Sequence, residues 1–365
     1  MNILIRTDSS HNIGIGHVMR CLVLAETLRD QGHTVTFMCR ELPGNINFHI
    51  INKNFSLISL PYNESQQASL SIYSLHQQWL GEIRKIDIQQ TLSHLAQIDP
   101  IDWLIVDHYG LDLSWESQYR NYTKQLLVID DLADRKHDCD ILLDQNYYRD
   151  PSLRYHNLLP YHCNTLIGPQ YALIRSEFIE ARKNITSRRK KIQRLMVSLG
   201  GSDNHNGTET ILMGIQHLNR DDIHIDVVLG ATSPNKEIIR EFCAINKNFS
   251  FHCPAKNMAE LMQDADLAIG SSGSTTWERC CLGLPSLVVK IAENQNEIIH
   301  QGLSIGIFNY LGEVSALDEH TVTDKLNDII YKSEVLQAMS NNGMQLVDGL
   351  GAQRVVEKMQ LLEHK

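Results

Sequence analysis

Gly14, Gly16 and His17 lie in the stretch Arg6-Thr7-Asp8-Ser9-Ser10-His11-Asn12-Ile13-Gly14-Ile15-Gly16-His17-Val18-Met19-Arg20, which sets an imidazole at the mouth of a helix directly after a glycine loop. Ahead of it Ile3-Leu4-Ile5 reads as a short buried strand, and behind it Val18, Cys21, Leu22, Ala25 and Leu28 recur at helical spacing. Strand, loop and helix make one β-α unit whose loop opens at the carboxyl edge of a sheet, where ligands bind. Unpaired amides at a helix start favour anions, and their partial positive charge disfavours a protonated ring. His17 is therefore a base candidate. Asp8 and Asn12 flank the loop and stand to orient the ring or a substrate, with helix capping as the competing role for both. The spacing is not the dinucleotide fingerprint, because no glycine falls three residues after Gly16. Nor is it a P-loop, because no Gly-Lys-Ser/Thr follows.

A second candidate is Gly270-Ser271-Ser272-Gly273-Ser274-Thr275-Thr276-Trp277-Glu278. Two glycines and five hydroxyl residues stand between an apolar strand and a helix, so amides and hydroxyls can converge on phosphate oxygens without fixed positive charge. A diphosphate suits such a loop. Glu278, about one turn into the helix, is placed to accept hydrogen bonds from two vicinal ribose hydroxyls. The competing reading makes the hydroxyls helix caps and Glu278 part of a capping box. Asn294-Gln295 begin the next helix and fall beside the same crevice, in reach of sugar or phosphates. Gly200, Gly201 and Ser202, at the end of another strand, complete the set of expected binding residues.

The elements that position these residues follow from alternating apolar runs and helical stretches. Segments 34–38, 55–60, 103–106 and 126–129 look like strands joined by crossovers long enough for helices, which predicts a parallel sheet. Asp107-His108-Tyr109-Gly110, Asp130-Asp131 and Asp144-Gln145-Asn146 follow strands and gather at the ligand-binding edge. Between about Arg175 and Arg194 the pattern becomes charged and amphipathic, and a second strand series then begins at 195–199, continuing at 225–229, 249–251, 267–269 and 287–289. The expected organisation is α/β, with a Rossmann-like domain over residues 1–180 and a second over 181–365, the last helix being free to pack back on the first.

At 365 residues the chain is too long for one ordinary core. No run of about twenty apolar residues offers a membrane span, and Met1 leads straight into the first strand with no signal sequence, so the expected location is the cytoplasm. The eight cysteines include no Cys-x-x-Cys pair and read as reduced core thiols, without disulfides or zinc. A net charge of −10 argues against a nucleic-acid surface, and Arg188-Arg189-Lys190-Lys191 reads as a solvated linker. Asp130, Asp131, Asp138, Asp140 and Asp144 match no metal-ligand template and read mostly as solvated strand ends.

Arg6-Thr7-Asp8, Gly14-x-Gly16-His17-x-x-Arg20, Asp107-His108-Tyr109-Gly110, Asp130-Asp131, Asp144-Gln145-Asn146 and the 271–278 loop together resemble the bacterial UDP-sugar hydrolases of pseudaminic acid biosynthesis, from residue 1 to about residue 355. That family acts on UDP-2,4-diacetamido-2,4,6-trideoxy-β-L-altropyranose and is similar in fold to the UDP-N-acetylglucosamine transferase that makes lipid II. The resemblance implies a GT-B-like arrangement of two Rossmann-like, doubly wound domains facing across a cleft. It also implies inverting hydrolysis at the anomeric carbon with no metal or cofactor, the residue matching His17 as base, and Tyr109 near the sugar or the water. Two other readings use the same residues: a GT-B glycosyltransferase in which His17 activates an acceptor hydroxyl, and a non-catalytic nucleotide-sugar sensor. The oligomeric state is not legible.

Overall fold

The computed structural model of the chain describes residues 1–62, 83–95, 100–185, 191–200, 203, 206–230, 233–255 and 257–363. They divide into one unit of Met1–Leu173 with Leu350–Lys365 and another of Ile174–Gly349.

The first unit is built on strands β1 (Asn2–Thr7), β2 (Thr34–Arg40), β3 (Ser56–Leu60), β4 (Ile101–Asp107), β5 (Thr123–Ile129), β6 (Ile141–Asp144) and β7 (Asn164–Ile167). Its helices are α1 (Gly16–Asp30), α2 (Asn47–Asn52), α3 (Ile83–Leu95) and α4 (Leu113–Glu116). The second unit holds α5 (Ser176–Lys183), β8 (Arg194–Ser198), α6 (Gly207–Gln216), β9 (His224–Val228), α7 (Lys236–Ile245), β10 (Phe249–His252) and α8 (Met258–Asp264). It continues through β11 (Leu267–Ser271), α9 (Thr275–Cys281), β12 (Ser286–Lys290), α10 (Asn296–Ser304), β13 (Asn309–Glu313), α11 (Glu319–Ile329) and α12 (Ser333–Leu346). The last helix, α13 (Gly351–Glu363), belongs to the first unit and packs on α1.

Both sheets are parallel, in the orders β3-β2-β1-β4-β5-β6-β7 and β10-β9-β8-β11-β12-β13. A parallel sheet covered by helices on both faces needs strands apolar on both sides. In β1, Ile3 and Ile5 pack with Val18 and Leu22 of α1 and Val355 and Met359 of α13, while Leu4 packs oppositely with Leu104, Trp115 and Tyr119. The second core joins Leu195, Val197, Ile225, Ile269 and Val289 to Ile211 of α6 and Val322 and Leu326 of α11. Strand order reverses between β1 and β4, and again between β8 and β11. These reversals open the carboxyl edges into crevices where doubly wound folds take their ligands.

Two features differ from the sequence expectation or add to it. The division falls after Leu173, ahead of residue 180, because α5 is anchored in the second unit: Phe178 and Ala181 are buried, and Arg182 donates to the carbonyls of Cys281, Met344 and Val347. Edge strands β7 and β13 are additional; each is short, and β13 carries Gly312 at φ +152°, so neither shows a sustained apolar run. Among the described residues no helix is long and apolar enough to cross a membrane. All eight cysteines are free thiols, with the sulfurs of Cys139 and Cys163 3.5 Å apart.

Candidate functional site

In the first unit the strand reversal brings the end of β4 beside the start of α1. Thr7 and Asp107 are register partners, so the acid that ends β4 lies beside the loop that begins after β1. His17 and Arg20, three residues apart on α1, share one helix face and both reach it. Nδ1 of His17 donates to Asp107 Oδ1 at 2.6 Å, and Arg20 grips the same carboxylate through Nε to Oδ2 and Nη2 to Oδ1, each at 2.7 Å. Burial alone would push the Asp107 carboxyl up, but the Arg20 and His17 charges and their hydrogen bonds outweigh it and hold the group well below the usual carboxylate range. An ionised Asp107 fixes the proton of His17 on Nδ1 and makes Nε2 the basic nitrogen.

Tyr109, two residues on, sets its ring edge-on to His17 with centroids 4.5 Å apart, and its hydroxyl donates to Asp131. Burial, followed by the Asp131 charge, pushes the phenol well above its ordinary range, so it remains a donor. Arg20 Nη1 reaches Asp131 at 3.4 Å and closes the cluster.

The glycine loop is a closed turn. Gly14, at φ +79°, exchanges backbone hydrogen bonds with Ser10, whose Oγ accepts from the amides of Asn12 and Ile13. A Cβ at Gly16 would meet no atom within 4 Å, so the helix start opens into free space. Asn12 lies exposed on this turn.

Asp8 does not share the expected role. It is fully buried, Arg6 donates to both its oxygens at 2.6 and 2.9 Å, and the Arg40 amide adds a third hydrogen bond at 2.6 Å. Arg6 and Arg40 also converge on buried Asp87, each at 2.7 Å. A carboxylate so occupied holds the sheet edge together and presents nothing to a ligand.

The acidic residues after β5 and around β6 are paired rather than solvated. Asp130 faces Arg135 at 2.8 Å, and Asp138 and Asp140 share Arg120 at 2.7 and 2.6 Å. Asp144 is the exception in charge: burial, then the Asp131 charge, pushes it up to about 8, and the Tyr155 hydroxyl lies 3.0 Å from its Oδ2. Among the described residues no group of three or more His, Cys, Asp or Glu is placed to hold a metal ion.

In the second unit, the 270–278 segment follows β11 and lies beside the end of β8, since Gly270 and Ser198 are register partners. Ser274 is exposed and Gly273 and Thr275 are half-buried; Ser272 is fully buried and donates to Gln295 Oε1 at 3.1 Å. Gln295 also accepts from the Ile291 amide at 2.9 Å, so Ser272 and Gln295 fasten this loop to the next one instead of reaching outward, while Asn294 is exposed. Ser274 precedes α9 without a side-chain cap, so the capping reading does not account for these hydroxyls. Thr275 and Thr276 each have Oγ1 directed at Arg279, at 3.4 and 3.1 Å.

Glu278 is 8% exposed, its Oε1 accepts from Arg175 Nε at 2.8 Å, and its buried Oε2 has no partner among the described residues. An acceptor left open beside such a loop suits a ligand hydroxyl. Gly200 takes φ +114° after β8; Gly201 and Ser202 lie outside the described residues, as do Arg188, Arg189 and Lys190. Sequence reasoning missed the roles of Asp107, Asp131, Arg175 and Arg279. Asp107 and Asp131 were visible as acids at strand ends, but their partners come from distant parts of the chain.

Residues 196–355 match the glycosyltransferase family 28 C-terminal domain. The chain is 29% identical over 296 residues to the UDP-2,4-diacetamido-2,4,6-trideoxy-beta-L-altropyranose hydrolase of Campylobacter jejuni, covering 81% of this chain and 93% of that protein. Among solved structures it is similar to MurG of Acinetobacter baumannii, with a TM-score of 0.64, 14% identity and coverage of 98% and 99% of the two chains. It is equally similar to the UDP-GlcNAc 2-epimerase of Neisseria meningitidis bound to UDP-GlcNAc, with a TM-score of 0.65, 14% identity and coverage of 99% and 100%. The chain thus has a GT-B-type fold, is similar over residues 196–355 to the glycosyltransferase family 28 C-terminal domain, and resembles the C. jejuni UDP-sugar hydrolase through most of its length.

Proposed function

We propose that the protein is a cytoplasmic UDP-sugar hydrolase that cleaves the C1–O bond of UDP-2,4-diacetamido-2,4,6-trideoxy-β-L-altropyranose in pseudaminic acid biosynthesis. The products are UDP and 2,4-diacetamido-2,4,6-trideoxy-L-altropyranose, with inversion at C1. The observation that carries this reading is the His17–Asp107 pair, 2.6 Å apart at a ligand-binding strand reversal. With Nδ1–H held by Asp107, Nε2 takes a proton from water as its oxygen attacks C1. General-base assistance of this kind contributes about 10²- to 10⁴-fold in rate. UDP departs with the bonding electron pair. The amides and hydroxyls of 273–275 receive its diphosphate, and Glu278 Oε2 receives the ribose hydroxyls. The same groups make a metal unnecessary in this scheme.

Incubation with the UDP-sugar and no acceptor tests the reading. UDP must appear with the free sugar, heavy-oxygen water must label the sugar and not the phosphate, and EDTA must leave the rate unchanged. The family 28 domain and the likeness to MurG favour a second reading, transfer of the sugar to an acceptor hydroxyl. UDP release that waits for an acceptor would establish transfer in place of hydrolysis. Binding without any release would leave a sensor.

A further inference from the structure

Arg279 is a buried cation without an anion. Its side chain is 3% exposed, yet among the described residues it makes no ion pair. Buried guanidinium groups elsewhere in the chain follow the usual rule that an interior charge is paired: Arg6 and Arg40 face Asp87, and Arg20 faces Asp107. Arg279 instead spends its donors on the loop above it. Nη2 donates to the Ser271 carbonyl at 2.8 Å and to Thr276 Oγ1 at 3.1 Å, and Nη1 reaches Thr275 Oγ1 at 3.4 Å. Nε has no partner. The neighbouring Glu278 makes no ion pair with it: that carboxylate is engaged by Arg175, and its charge offsets the burial only in part. Burial, only partly offset by Cys280 and Glu278 nearby, pushes the guanidinium down to about 10.

The site is built to admit this side chain. A Cβ on Gly270 would stand 2.7 Å from Arg279 Nη1 and 3.0 Å from the Ser198 carbonyl, so only glycine leaves room for the guanidinium at the end of β11.

We propose that Arg279 is the resident positive charge for the ligand's diphosphate, acting as a positioning residue through the 271–276 loop, and that the ligand supplies the missing anion. The inference rests on the nucleotide reading of that loop. A threonine hydroxyl that accepts from a guanidinium has its own proton left to give, so Arg279 turns half-buried Thr275, next to exposed Ser274, into a donor for the ligand. The cation polarises that donor through one hydrogen bond without contacting water or phosphate itself. This accounts for a diphosphate loop, residues 271–276, that contains no lysine or arginine of its own. It also predicts that the contribution of Arg279 scales with the ligand's phosphate charge and vanishes for a nucleoside.

The test is calorimetric titration of the full chain and its variants with UDP, UMP and uridine. Arg279→Gln preserves a donor for the Ser271 carbonyl and removes the charge, whereas Arg279→Lys keeps the charge and loses the planar fork. Arg279→Gln is expected to weaken UDP by about 10- to 100-fold, UMP by less, and uridine by less than about twofold. Arg279→Lys is expected to retain most of the UDP affinity. Gly270→Ala, which displaces the guanidinium while leaving it in the chain, should reproduce the graded loss and serves where Arg279→Gln does not fold. Equal losses for all three ligands, or full rescue by Gln and none by Lys, would make Arg279 a scaffold for the loop and overturn the proposal. Failure of the wild-type protein to bind UDP at all would instead overturn the nucleotide reading on which it stands.

Discussion

Asp107 Oδ1 lies 2.6 Å from His17 Nδ1, joining the end of β4 to the first turn of α1 across 90 residues of sequence. The pair converts a histidine at a helix mouth into one with a defined tautomer. Arg20, which binds both Asp107 oxygens, keeps the carboxylate ionised and immobile. Asp107→Asn should therefore lower kcat about 10²- to 10⁴-fold while leaving the affinity for UDP within about twofold. Steady-state UDP release and calorimetry measure the two quantities separately. A normal kcat in a folded Asp107→Asn protein would remove the dyad from the mechanism.

Replacement of His17 by alanine should abolish turnover, because no other imidazole is held in this cluster with a fixed basic nitrogen. His108 is buried, accepts from the Gly110 amide through Nδ1, and has Nε2 3.4 Å from Asp8. UDP affinity should stay nearly intact, since the loop proposed to hold the diphosphate is in the other unit. Catalysis that survives His17→Ala would end the base assignment.

Glu278→Ala should act on binding. Loss of a charged hydrogen bond to the ribose is expected to cost about 1.5–3 kcal/mol, read as a rise in Kd for UDP, and the deficit should shrink when 2′-deoxy-UDP is the ligand. Arg175 loses its main partner in the same variant, so Glu278→Gln, which retains an acceptor, is the control. An equal deficit for both nucleotides would place Glu278 in packing and not in ribose recognition.

Asp144 supplies a pH dependence of known sign. Its folded value of about 8 lies above the ordinary carboxylate value of 3.8, so folding favours the protonated acid. The stability this group contributes is complete below about pH 4 and is lost as pH rises toward and through about 8. Asp144→Asn mimics the protonated acid and does not titrate. Relative to wild type it should gain stability progressively between those limits, as followed by denaturant unfolding at a series of pH values. A difference that stays constant with pH would contradict the assignment. Asp87, Asp107 and Asp130 run the other way, their values held low by buried cations, but they are common to both proteins and cancel in the comparison.

Much of the fold was legible because parallel sheets covered on both faces require continuous apolar strands, as in Trp103-Leu104-Ile105-Val106 and Leu195-Met196-Val197, with crossovers between them. Strands β7 and β13 escaped because short edge strands are not buried on both sides and carry no such run. The boundary after Leu173 escaped because α5 reads locally as a charged linker, and its membership is decided by Arg182 and Phe178 meeting the second unit.

His17, Gly14, Gly16 and the hydroxyl loop are local features, since their chemistry follows from neighbours within a few residues, and the amino-acid sequence alone determined them. The fate of the charged residues was decided only by the tertiary structure. Asp8 and Asp107 are both acids at the ends of adjacent strands, yet one is consumed by Arg6 and the other is given to His17. Arg20 and Arg279 are both buried arginines on helices, yet only Arg20 finds a carboxylate. An interior charge is stable only with particular partners at hydrogen-bond distance, and those partners are brought together by strand order and register, not by spacing along the chain.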